Sequence, residues 1–184
     1  DLGRNAIDSM HAVIQDLINF RRALATKYQT PGFDVSIPTL NLGCLKAGDS
    51  PNRICEHSEL QIDLRLLPGM NADTIVSDLK QRLYLIGDRL GTPTDVHFLS
   101  PAIPAFESPE NSRVARLLET LSGNPSGKVA FGTEAPFYQG LSEETVVFGP
   151  GSISQAHQPD EYMELTYFTK TQSILAQLIQ RFCS

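Results

Sequence analysis

Apolar residues recur along this chain first at a helical period and then at a strand period. Ile7, Met10, Ile14, Leu17, Ile18 and Leu24 follow one another at helical spacing and predict a long amphipathic helix. Asn5 suits its N-cap, with Asp8 three positions on, and Pro31 and Gly32 close it off beyond Tyr28. The period then falls to two. Leu40, Leu42 and Cys44 share one face of a strand over 39–45, and Leu60, Ile62, Leu64 and Leu66 alternate with Glu59, Gln61, Asp63 and Arg65 in a second. The turn-rich residues 48–52 join them as antiparallel neighbours. Pro68 and Gly69 stop the second strand, and Asn71 opens another helix on Ile75, Val76, Leu79, Leu83, Ile86 and Leu90, ending at Gly91. A further strand is expected over 95–99. Helix, strand, strand, helix, strand is the order of a four-stranded antiparallel βαββαβ ferredoxin-like sandwich without its first strand, which this reading places just before Asp1.

Pro101, Pro104 and Pro109 change the texture and mark a linker. Ser108 as cap and Pro109 at the first helical position predict a helix on Val114, Leu117, Leu118 and Leu121, ending at Gly123. Two short β-prone runs, 128–131 and 145–148, lie either side of residues 133–141. After Gly149-Pro150-Gly151 a polar loop runs to Tyr162, and a terminal helix carries Phe168, Ile174, Leu175, Leu178, Ile179 and Phe182. The chain therefore reads as two parts, 1–104 and 105–184. The second, of roughly eighty residues, is small for a core of its own and is expected to complete a larger domain.

Composition narrows the classes. With 184 residues, 41% of them hydrophobic, and a formal net charge of −6, the chain has the make-up of a folded globular protein. No apolar run approaches the ~20 residues of a membrane helix and no secretory leader stands at the start, so no membrane association is expected. Fifteen basic residues against 21 acidic ones, without a basic cluster, give no footprint for nucleic acid. Cys44, Cys55 and Cys183 are odd in number and lack a CxxC spacing, which suits buried or half-buried thiols in the cytoplasm. GxGxxG, GxxxxGK and HExxH are all absent, which removes nucleotide and zincin readings.

Four places offer chemistry. His157 sits among carboxylates in the loop after an apolar run, where a metal ligand or an ordinary surface histidine would both fit. Gly132-Thr133-Glu134 ends another apolar run and offers backbone N–H groups, a hydroxyl and a carboxylate to a ligand, or simply a turn with Thr133 as helix cap. Arg65, on the polar face of a strand, has the guanidinium that holds a carboxylate bidentately; its commonplace use would be an ion pair with Asp63. Asn52, beside Arg53 in the turn between strands, is either a turn former or a polar contact for a ligand.

Taken in order, Asn5-Ala6-Ile7, Pro38 to Gly43, Asn52-Arg53-Ile54-Cys55, Asp63-Leu64-Arg65-Leu66-Leu67-Pro68-Gly69, Gly132-Thr133-Glu134-Ala135, and Gly149 through His157-Gln158-Pro159-Asp160-Glu161-Tyr162 resemble the two-zinc aminoacylase and carboxypeptidase family of metallopeptidases. Within that family the likeness is to the branch that deacetylates N2-acetylornithine, in arginine biosynthesis. The resemblance implies an α/β catalytic domain bearing two zinc or cobalt ions and an α+β lid that dimerises through its sandwich. Residues 1–104 match the lid and 105–184 the end of the catalytic domain, so the chain is expected to be a C-terminal piece, inactive alone. The general base and most metal ligands are expected upstream of Asp1, with no catalytic residue in the chain itself.

By the same resemblance His157 is a metal ligand, Arg65 holds the substrate α-carboxylate, Asn52 lies near the scissile amide, and Gly132, Thr133 and Glu134 line the pocket. The substrate implied is an N-acetylated amino acid and the partner a second copy of the chain. Two alternatives stand beside this reading. One is a related deacylase, a succinyl-diaminopimelate desuccinylase or a carboxypeptidase; the other is a ferredoxin-like module that dimerises or binds an amino acid.

Overall fold

A computed structural model describes residues 3–183, so the outer ends of the two predicted parts, 1–2 and 184, lie outside the described residues. The chain divides into two compact units, Asp1–Phe106 with Lys128–Thr133, and Glu107–Gly127 with Glu134–Ser184. Both mix helix with extended chain.

The first unit opens with α1 (Ala6–Lys27), capped by Asn5, whose side chain accepts the Ile7 N–H at 2.9 Å. Its buried row is Val13, Leu17, Phe20 and Leu24. The stripe is therefore centred on Leu17 and includes Val13 and Phe20, which the sequence pattern passed over, while Ile7 stays exposed. Strands β1 (Thr39–Ala47) and β2 (Ser58–Arg65) form one antiparallel hairpin. Helix α2 (Ala72–Leu90) starts on Asn71, which accepts the Thr74 N–H, and ends on Gly91 in the left-handed region at φ 63°. There the Arg4 guanidinium donates to the Gly91 carbonyl. Ile75, Leu79, Leu83 and Ile86 of α2 meet the α1 row over Leu40, with Leu42, Leu60, Ile62 and Leu64 packed against them. Helix α1 thus packs on one face of the hairpin, and α2 packs on α1.

The register changes once along β1. Leu40 lies opposite Leu64 and Leu42 opposite Ile62, but Cys44 faces Gln61 and Leu45 faces Leu60, because the ladder is irregular between Leu42 and Cys44. One extra residue inserts at Gly43, a β-bulge. Alternation restarts out of phase, so Leu45 and not Cys44 joins the apolar face. Cys44 is consequently exposed, against the expectation of a buried thiol, as is Cys183; Cys55 alone is buried, and all three are free.

Other expectations need correction. Among the described residues the sheet has two strands, and 95–99, expected as a further strand, take no place in it. The topology explains this. In a βαββαβ sheet the fourth strand pairs with the first, and the hairpin of the middle strands offers it no neighbour. Residues 128–131 and 145–148 likewise join no ladder. Their β-prone side chains are not enough without a paired backbone.

In the second unit α3 (Arg113–Ser122) is capped by Ser112 and not by Ser108. Ser112 is 1% exposed and its Oγ accepts the Ala115 N–H at 3.1 Å. A short α4 (Ala135–Tyr138) and a 3-10 turn (Ile153–Gln155) precede the long α5 (Leu165–Phe182). Helix α3 packs on α5, Leu118 and Ile174 are buried, and Lys170 donates to the Ser122 carbonyl at 2.8 Å. Phe168, Leu175, Ile179 and Phe182, expected as a core face, are exposed.

Leu17→Ala should lower the unfolding free energy by about 2–5 kcal/mol, because the cavity opens at the centre of the α1–α2 seam. Leu85→Ala, at a position 60% exposed on α2, should change it by less than about 0.5 kcal/mol. Urea midpoints of the two variants measure the contrast, and equal shifts would contradict this placement of the core.

Candidate functional site

The polar face of the hairpin is the side turned away from the helices, and period-two alternation puts Asp63 and Arg65 on it together. Asp63 Oδ2 accepts from Arg65 Nε at 2.7 Å, with both side chains more than half exposed. Across the ladder stand Thr39 and Asn41, both neutral. Arg65 Nη1 makes a second, longer contact of 3.5 Å with the Ala130 carbonyl, in the 128–133 segment that belongs to the same unit. That segment is held again where Lys128 Nζ lies 4.9 Å from the centre of the Phe33 ring. It leads directly to Gly132 and the half-buried Thr133. Arg65 and the Gly132-Thr133 pair are therefore brought into one neighbourhood.

Asn52 is not. It lies in the turn that joins β1 to β2, its Oδ1 accepting the Ser50 hydroxyl at 2.5 Å, while Arg53 pairs with Asp49 at 2.6 Å. Arg65 is the last residue of β2 and the turn adjoins its first, Ser58. The length of that strand, about 23 Å at ~3.3 Å per residue, separates the two side chains.

Glu134 and His157 belong to the second unit. Glu134, and not Thr133, is the N-cap of α4, through its carbonyl and without a side-chain bond. His157 sits in a loop built from consecutive tight turns. Ser152 accepts the Ser154 N–H, Gln158 donates to the Gln155 carbonyl, and Glu161 donates to the Gln158 carbonyl. His157 is itself in the left-handed region at φ 62°, as is Asp160 at φ 59°. For residues with a Cβ this conformation is strained, and it persists only where neighbours fix it. The His157 N–H does so by donating to Glu161 Oε2 at 3.1 Å, which leaves the exposed imidazole uncommitted by its backbone.

Comparison with known proteins decides the kinship. Residues 1–87 match the family model of the peptidase dimerisation domain. Over 98% of its length the chain is 41% identical to the acetylornithine deacetylase of Edwardsiella ictaluri, and over 100% it is 40% identical to that of Photorhabdus laumondii. The acetylornithine deacetylase of Salmonella heidelberg matches at 41% over 98%. Residues 1–87 thus match a peptidase dimerisation domain, and the whole chain is similar to these deacetylases. It spans about half the length of the curated relatives it matches, 47% of each.

Among the described residues no three His, Cys, Asp or Glu side chains gather where an ion could be held. A zinc site takes three or four ligands, so His157 cannot make one by itself, and these residues do not fit a complete metal cage. No helix among the described residues is long and apolar enough to cross a membrane.

One polar centre of the second unit leaves no mark in the sequence pattern. The Glu144 carboxylate, 17% exposed, accepts from Ser112 Oγ at 2.8 Å, Arg113 Nε at 2.9 Å and the Val114 N–H at 3.0 Å. The Ser108 hydroxyl donates to the neighbouring Thr145 carbonyl at 2.5 Å. Together these bonds pin residues 144–145 to the start of α3. A Ser-Arg-Val run thirty residues from a glutamate has no local period to betray the contact. The Val114 N–H, followed by the Arg113 guanidinium and the Ser112 hydroxyl, holds the Glu144 carboxyl down at about 2, from an ordinary value of 4.5.

A carboxyl whose folded value is depressed adds stability above its unfolded value, and that contribution is lost as pH falls toward the folded one. Part of the second unit's stability should therefore disappear between about pH 4.5 and pH 2. Urea midpoints taken across that range should fall less steeply for Glu144→Gln than for the parent. Superimposable slopes would remove Glu144 from the account.

Proposed function

We propose that this chain supplies the dimerisation lid, residues 1–104, and part of the catalytic domain, residues 105–184, of an enzyme that hydrolyses N2-acetylornithine to ornithine and acetate. The observation that carries the reading is the 40–41% identity to acetylornithine deacetylases across 98–100% of the chain, second unit included. The two-stranded hairpin is read as the middle of a four-stranded sandwich, whose first strand would lie between β2 and residues 95–99. Three free thiols suit the cytoplasm.

In this reading the chain's own residues bind and orient. Arg65 faces the substrate α-carboxylate with a planar pair of donors. The backbone of Gly132 and the hydroxyl of Thr133 line the pocket, and Glu134 offers a negative charge to the ornithine side-chain ammonium. His157 contributes one imidazole to a zinc or cobalt site whose other ligands, like the general base, come from outside the described residues. The 184-residue chain alone should accordingly be inactive.

The separation of Asn52 from Arg65 supports a dimeric site. A substrate the size of an acetylated amino acid cannot span the length of β2, so the two contacts serve one substrate only if Asn52 reaches the site of the partner copy. The peptidase dimerisation domain over residues 1–87 is the surface for that pairing.

Two experiments on the full-length protein test this. Hydrolysis of N2-acetylornithine with added zinc or cobalt should fall about a hundredfold or more in His157→Ala, by loss of a metal ligand. A metal-replete parent that ignores N2-acetylornithine but cleaves succinyl-diaminopimelate would move the substrate assignment. Mixing inactive Asn52→Ala and Arg65→Ala variants should restore about a quarter of parental activity, because half the dimers then carry one intact site. No recovery after subunit exchange would place Asn52 outside the partner's site.

A further inference from the structure

We propose that Asp63 is the positioning residue that aims Arg65 at the substrate carboxylate; the inference rests on the reading of Arg65 given above. Asp63 and Arg65 lie two residues apart on the same outward face of β2, so the contact between them is built into the strand's pleat. Asp63 Oδ2 takes the Nε hydrogen at 2.7 Å, on one edge of the guanidinium. Asp63 does not engage the Nη1–Nη2 edge, and Nη1 donates to the Ala130 carbonyl at 3.5 Å. A carboxylate accepts two parallel N–H bonds from that edge, and it can do so only if the plane of the guanidinium is fixed beforehand. Free arginine is a long side chain with many rotamers, and ordering it on binding costs affinity. The residues opposite, Thr39 and Asn41, carry no charge that could replace Asp63 in this work.

The exposure of the pair separates this role from a structural one. Both side chains are more than half exposed, and ion pairs of that kind add little to folding. Asp63→Asn should therefore leave the thermal midpoint of the protein unchanged while altering substrate binding. Repulsion between Asp63 and the bound carboxylate works in the opposite sense. It acts across the width of a guanidinium in water, where screening is strong, whereas the bidentate bonds depend on orientation at contact.

The test is steady-state kinetics of the full-length enzyme on N2-acetylornithine. Asp63→Asn should raise KM roughly two- to tenfold with kcat little changed, the cost of ordering one rotamer-rich side chain on binding. The same variant should show no KM change on N2-acetylornithine amide, which lacks the carboxylate. An unchanged or lowered KM on the acid overturns the proposal, as does an equal rise on the amide. Arg65→Lys is measured in parallel: if it too leaves KM unaltered, the reading of Arg65 itself fails, whereas a raised KM there with none in Asp63→Asn removes Asp63 alone.

Discussion

The seam between α1 and α2 is the constraint on which the first unit depends. A lone two-stranded hairpin is marginal in water, because one layer of backbone bonds does not repay the entropy of ordering it. Here Leu17, Phe20, Leu79 and Leu83 share one buried cluster with Leu40, with α1 packed on the hairpin and α2 on α1. The other face is then outward by necessity. Since the side-chain period of a strand is two, burying Leu60, Ile62 and Leu64 commits Gln61, Asp63 and Arg65 to the solvent side. The chemistry-bearing face is thus fixed by residues that take no part in it. The bulge at Gly43 confines its disturbance to β1 and leaves the alternation of β2 intact as far as Arg65.

The second unit is held differently. Leu118, Ala135 and Ile174 are its buried apolar residues, a thin core for so much chain. Polar bonds carry more of the load. Glu144 accepts the Val114 N–H, one of the donors that every helix start leaves unsatisfied, and the Ser112 hydroxyl, from a segment thirty residues away. That segment runs on through Thr145 to Phe148 and into the turns around His157. The large exposed residues Leu165, Phe168 and Ile179 fit a unit that completes a larger domain, since such a face is costly to leave in water.

How much of this was legible depended on the range of the signal. Asn5, Asn71 and Gly91 bounded their helices because a cap acts within four residues and leaves a local mark. The hairpin was legible from alternation alone. What alternation could not show was the bulge, since Gly43 reads as an ordinary strand residue until its neighbour's register is known; Cys44 was therefore assigned to the wrong face. Ser112 lost to Ser108 as a cap because a proline at the first helical position is a stronger local signal than the buried bond to Glu144 that decides the matter. Residues 95–99, 128–131 and 145–148 carry β-prone side chains, yet strand formation is a property of pairs, and among the described residues they pair with no strand. Of the site residues, Arg65 and the 132–133 pair could be placed together only once Ala130 was seen beside the guanidinium.

The unpaired edges of the hairpin connect this architecture to assembly. Two strands have two open edges, each a row of N–H and C=O groups that another strand can extend, and natural proteins cover such edges or use them. A dimerisation domain is a case of use. Once a second copy lies alongside, the length of β2 stops being a separation within one molecule and becomes a reach between two. The turn bearing Asn52 lies at the end of the hairpin opposite Arg65, so the strand that carries the guanidinium also extends a polar turn away from it. In the proposed dimer, association would require no new structure of the site.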